Sequence, residues 1–81
     1  MSNLDKLKSL LVDVFLLDPS AVRMDLKREE IDSWDSLGVV SLEVGLKETF
    51  GSQITPQEAM AIKSVQDIIT LLSSKGIDFS S

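Results

Sequence analysis

Residues 36–50 read SLGVVSLEVGLKETF, the most regular apolar pattern in the chain. At 100° per residue, Val39, Leu42, Leu46 and Phe50 fall within one narrow arc, as expected of a helix face turned to a core. Leu37, Val40 and Val44 form a second stripe on roughly the opposite side. Glu43 and Lys47 separate the two stripes on one flank, and Ser41, Gly45 and Glu48 on the other. A small bundle rarely buries both. Either another helix covers the second stripe, or it is an exposed apolar strip that serves as a docking surface. Asp35 has the side chain of an N-cap, and Gly51 is suited to close the helix in a left-handed conformation. Gly45, in mid-helix, costs about 1 kcal/mol against alanine, so it either permits a close approach or is a tolerated defect.

Asp35 as cap places Ser36 on the first turn, where backbone N–H groups lack intrahelical partners. A phosphate attached there meets free donors and the positive end of the helix dipole, worth about 0.3–1 kcal/mol at an exposed site. Asp-Ser before an apolar run is also a plain helix start, and on local chemistry alone that reading is favoured.

Composition narrows the function classes. The chain of 81 residues is long enough for one small domain, residues 1–81, that buries about 60% of its unfolded surface. An apolar content of 43% suits a compact core. With no Cys and no His there is no disulfide, no zinc site and no Cys/His or Ser/His catalytic pair; neither catalytic nor metal-ligating residues are expected. Net charge is −5, which disfavours nucleic acid and anionic lipid; basic protein partners complement it, or it simply aids solubility. The start of the chain has no basic region followed by an apolar run, and no apolar stretch approaches the roughly 20 residues of a membrane span. A soluble, cytoplasmic monomer is expected.

In chain order, Leu4, Leu7, Leu11, Val14 and Phe15 follow helical spacing, with Leu10 and Leu17 widening the stripe. The spacing predicts a first helix over residues 3–17, capped by Ser2 or Asn3 and ended by Asp18-Pro19. From Asp18 to Trp34 runs a long connection, with one helical turn at Pro19 and single apolar anchors at Val22, Met24, Leu26 and Ile31. Trp34 is either a partner contact or, more often for a lone tryptophan at a helix start, a cover for the core edge. Thr55-Pro56-Gln57-Glu58 supplies cap, helix-starting proline and capping-box glutamate for a short helix over residues 56–61. Ser64 caps a last helix over residues 65–74, with Asp67 reaching back less well than a glutamate would; Ile77 and Phe79 then pack back or fray. The fold class is all-α: a small bundle of three principal helices plus one short helix.

Taken together, Trp34-Asp35-Ser36-Leu37-Gly38, then Leu42, Leu46, Phe50-Gly51, Ile54-Thr55-Pro56 and Ser64-Val65-Gln66-Asp67-Ile68 resemble the acyl carrier proteins over nearly the whole chain. The three-residue motif Asp35-Ser36-Leu37 is short and gains specificity from its position. The resemblance implies a four-helix carrier with 4'-phosphopantetheine on Ser36, attached from coenzyme A by a phosphopantetheinyl transferase with Mg²⁺. Asp35 and Leu37 then belong to the motif that the transferase recognises. Acyl-loading and acyl-transfer enzymes dock on Val40, Val44 and Glu48, and part of the acyl chain shelters near Leu46 and Ile62.

Carrier proteins of fatty-acid synthesis commonly have acidic residues where this chain has Gly38, Ser41 and Lys47. The departure suggests fatty-acid synthesis less than a specialised pathway such as polyketide assembly. Gly38→Asp with Ser41→Glu is expected to restore the missing charge beside Ser36. Aminoacyl, D-alanyl and peptidyl carriers belong to the same class, and the rival outside it is an unmodified helical domain that binds partners through the second stripe.

Overall fold

Ser2 starts the first helix by accepting the Asp5 N–H on its hydroxyl at 3.1 Å. In the computed structural model, which describes residues 2–23 and 25–79, that helix, α1, spans Asn3–Phe15. It is followed by α2 (Ser36–Phe50), the short α3 (Pro56–Ala61) and α4 (Val65–Ser74), so the fold is all-α. Among the described residues, no helix is long and apolar enough to cross a membrane.

Caps explain most of these boundaries. Asp35 accepts the Gly38 N–H at the start of α2, and Gly51 ends it at φ 67°. Thr55 and Glu58 exchange hydrogen bonds at 3.0 and 3.1 Å, the reciprocal pattern of a capping box. At α4 the Ser64 hydroxyl accepts the Asp67 N–H, while Asp67 accepts the N–H of Lys63, one residue before the cap.

The first helix departs from expectation at its end. It stops at Phe15, two residues early, because Leu16 turns left-handed at φ 55° and the Leu17 N–H closes onto the Val12 carbonyl at 3.1 Å. A non-glycine residue in that conformation costs about 1–2 kcal/mol, and no glycine was present to signal it.

One core joins the four helices. Leu7, Leu11 and Phe15 of α1 meet Val39, Leu42 and Leu46 of α2, Ala59 of α3, and Val65, Ile68 and Leu72 of α4. The connection adds Leu26, Ile31 and Trp34, with Val22 half-buried beside them; Met24, also expected as an anchor, lies outside the described residues. The expected turn forms at Pro19–Ala21, where Asp18 accepts the Ser20 N–H. A second 3₁₀ turn, Arg28–Glu30, was not anticipated; Glu30 accepts the Lys27 N–H at 2.9 Å and pairs with Arg23 at 2.9 Å.

Behind that turn, Lys27 and Ser64 form an isolated antiparallel bridge, with Arg28 N–H donating to the Lys63 carbonyl at 2.8 Å and Val65 N–H to the Leu26 carbonyl at 2.9 Å. The connection is thus tied to the junction between α3 and α4. The C-terminal tail packs back: Phe79 lies 5.8 Å from Phe50 between ring centroids, and Asn3 Nδ2 donates to the Asp78 carbonyl at 2.8 Å.

Glu58 also ties the start of α3 to the end of α4. The Thr55 N–H and the Lys75 ammonium, 3.0 Å away, hold its carboxyl below the ordinary glutamate value of 4.5. A lowered folded value means that this contribution to stability is present above 4.5 and lost as pH falls through the folded value. In urea melts, the stability difference between the parent and Glu58→Gln should therefore be full at neutral pH and narrow as pH falls through and below 4.5. A difference that stayed constant would show that the carboxylate charge contributes nothing.

Candidate functional site

Ser36 opens α2 on a base held at several points. Two residues earlier, the buried Trp34 ring stacks on Phe15 with centroids 4.9 Å apart at 23°, so the tryptophan is part of the core and not a surface contact. The Trp34 carbonyl accepts Arg28 Nε–H at 2.8 Å, and its N–H donates to the Ile31 carbonyl at 3.1 Å. The Ser33 hydroxyl donates to the Phe15 carbonyl at 3.2 Å. The chain arrives at Ser36 already fixed to α1 and to the connection.

On the first turn, Asp35 accepts the Gly38 N–H on its carboxylate at 3.0 Å and the Val39 N–H on its carbonyl at 2.9 Å. Among the described residues, nothing accepts from the Ser36 or Leu37 N–H, and no hydrogen bond engages the Ser36 hydroxyl. An exposed hydroxyl beside two free N–H donors at the positive end of a helix dipole fits a covalently bound phosphate.

The second stripe of α2 is open. Leu37, Val40 and Val44 are 79%, 55% and 49% exposed, while Leu42 and Leu46 on the opposite face are fully buried. Among the described residues, no helix covers the stripe. Glu48 is exposed nearby, and Lys47 pairs with Glu43 at 3.1 Å, so its charge is partly compensated. Leu46 and Ile62, expected to border an acyl shelter, both lie in the core; Ile62 also floors a shallow hollow of about 320 Å³ between α3 and α4, walled by Ala61, Thr70 and Leu71.

Gly38 corrects one expectation. It is buried, and a Cβ there would overlap the Ser33 carbonyl oxygen and lie 3.1 Å from Phe15 Cε1. No aspartate fits, so added charge beside Ser36 has to come from Ser41, which is exposed. Gly45 likewise marks a close approach, its missing Cβ leaving room for the Leu10 side chain. The glycine in the third position of α2 was the available sign that something outside the helix presses on its first turn.

No family model matches the chain. Among curated proteins, the acyl carrier protein of Thermosynechococcus vestitus is 35% identical over 72 residues, spanning 89% of this chain and 89% of the relative. That of Solidesulfovibrio magneticus is 33% identical over 75 residues, 93% of this chain and 96% of its own. That of Campylobacter hominis is 32% identical over 74 residues, 91% and 94% of the two chains. The chain belongs to the acyl carrier protein family. Within this family's fold, the free hydroxyl of Ser36 and the open stripe of α2 lie on one helix, the hydroxyl at its start and the stripe along its outer face.

Gly38→Ala tests the close approach that supports the start of α2. Helix propensity alone favours alanine by about 1 kcal/mol. Overpacking against a backbone carbonyl costs about 1–3 kcal/mol and should prevail. The variant is expected to melt at lower urea than the parent; equal or greater stability would show that the carbonyl moves aside freely.

Proposed function

We propose that this chain carries acyl groups on a 4'-phosphopantetheine arm at Ser36 and presents them to separate enzymes, without catalysing a reaction itself. The observation that carries the reading is the exposed Ser36 hydroxyl, free of hydrogen bonds among the described residues and set between the capping Asp35 and the exposed Leu37. Family membership supports the arm as the group that belongs there.

A transferase using coenzyme A and Mg²⁺ supplies the attachment. The Ser36 oxygen would form a bond to the phosphorus bearing the pantetheine as the pyrophosphate linkage of coenzyme A breaks, adenosine 3',5'-bisphosphate leaves with the other phosphate, and the hydroxyl proton passes to a base of that enzyme. The chain offers no histidine to activate this serine, which suits an attachment point. When bound, the group supplies a thiol that holds a carboxylic acid as a thioester. Ser36 and Leu37 N–H groups favour the phosphate, and Asp35 keeps the turn formed while serving, with Leu37, as part of the recognised motif.

Val40 and Val44, with Glu48 beside them, form the surface on which loading and transfer enzymes dock. Lys47, Ser41 and the buried Gly38 leave this surface less acidic than is common in fatty-acid synthesis, which supports a specialised pathway.

Incubation with coenzyme A and a broad-specificity transferase should add one phosphopantetheine mass to the parent and none to Ser36→Ala. That variant should lose no more than about 0.5 kcal/mol of unfolding free energy, because the hydroxyl is on an exposed residue and makes no hydrogen bond among the described residues. Addition at another serine, or none with several transferases, contradicts the carrier reading. Ser64 is an internal control, since it also caps a helix but lacks the motif.

The two faces of α2 separate in a second experiment. Leu42→Asp buries a charge in the core and should unfold the domain. Val40→Asp should leave the melt nearly unchanged and impair transfer to partner enzymes. Unfolding by both variants alike would make the second stripe part of the core.

A further inference from the structure

Away from the open stripe of α2, the bridge between the connection and the α3–α4 junction frames a hollow of about 580 Å³. Ile31 and Trp34 supply its apolar lining, and Lys27, Arg28 and Lys63 bring three cations to it, with Glu29 as its one carboxylate. On a chain of net charge −5, that is a local excess of positive charge. None of the three cations takes part in an ion pair among the described residues, whereas Arg23, Lys47 and Lys75 all do.

The backbone holds these cations together. Arg28 N–H bonds to the Lys63 carbonyl at 2.8 Å, Lys27 is bridged to Ser64, and Arg28 Nε is spent on the Trp34 carbonyl at 2.8 Å, which leaves the outer guanidinium nitrogens unengaged among the described residues. The Trp34 indole N–H is buried and has no acceptor among the described residues, which is unusual for a buried donor. A volume of this size lies within the range of small-molecule sites, and cations brought beside an apolar lining by their backbone suit an anion with an apolar body.

We propose that this hollow binds an amphipathic carboxylate, its charge among Lys27, Arg28 and Lys63 and its hydrocarbon against Ile31 and Trp34. Two sources share that chemistry: a free carboxylic acid, and the far end of a carboxylate-terminated acyl group held on Ser36 of the same chain, only two residues from Trp34. The site itself does not depend on the carrier reading, because it is tested on the unmodified protein.

Trp34 is the only tryptophan and the chain has no tyrosine, so intrinsic fluorescence reports directly on the hollow. Titrating the unmodified full chain with octanoate should give a saturable change in Trp34 emission. Octanol and acetate, each lacking half of the chemistry, should bind at least about tenfold more weakly. Lys27→Ala/Lys63→Ala should weaken octanoate by about tenfold or more with an unchanged melt, since both side chains are exposed and unpaired among the described residues. Lys63→Met, which keeps the aliphatic stem, should weaken it in the same direction.

Absence of saturation up to the solubility limit of octanoate, equal binding of octanol, or full affinity in the double variant overturns the proposal. Chains loaded at Ser36 with an adipoyl or a hexanoyl arm then identify the source. Loss of octanoate binding with adipoyl alone points to the chain's own cargo, and equal binding in both supports a free ligand.

Discussion

The carbonyl oxygen of Ser33 lies against the first turn of α2, at the spot where any residue but glycine at 38 would place its Cβ. That contact, together with the Ser33 hydroxyl on Phe15 and the stacking of Trp34 on the same phenylalanine, brings the end of α1, the end of the connection and the start of α2 to one point. Ser36 inherits its position from this junction. An exposed residue on a first turn is ordinarily free to fray with its helix, but here the preceding residues are fixed by groups from three segments.

The same helix supports the fold with one face and leaves the other bare. Fully burying a leucine contributes about 1.5–3 kcal/mol, so Leu42 and Leu46 offset much of the entropy of ordering α2. Leu37, Val40 and Val44 give up that contribution. Three apolar side chains left in water along one stripe on a chain this small are hard to explain by stability alone.

Where the chain advertised its own caps, the sequence was a sufficient guide. Asp35, Gly51, Thr55 with Glu58, and Ser64 set the limits of three helices through contacts within four residues, and those limits are the observed ones. The end of α1 was misread because Leu16 occupies a conformation normally signalled by glycine. The turn at Arg28–Glu30 escaped notice because part of its support is distant: Arg23 pairs with Glu30, and the Lys63 carbonyl accepts from Arg28. The expectation that Gly38 could accept an aspartate fails for the same reason, since its crowding comes from residues outside its own helix. Ser36 was legible as a candidate from the cap before it, while its freedom from hydrogen bonds among the described residues is a property of the folded chain.

The bridge at Lys27 and Ser64 bears on the order in which the molecule assembles. Its hydrogen bonds join residues more than thirty positions apart in the chain, so the segment around Arg28 lacks them until the α3–α4 junction is in place. Loop-closure entropy puts such pairings after the local helices in time. The contacts of Ser33 and Trp34 with Phe15 do not wait for that junction, so Ser36 gains its hold on α1 first, and the tie through Arg28 to the Lys63 carbonyl is added when the final segment docks.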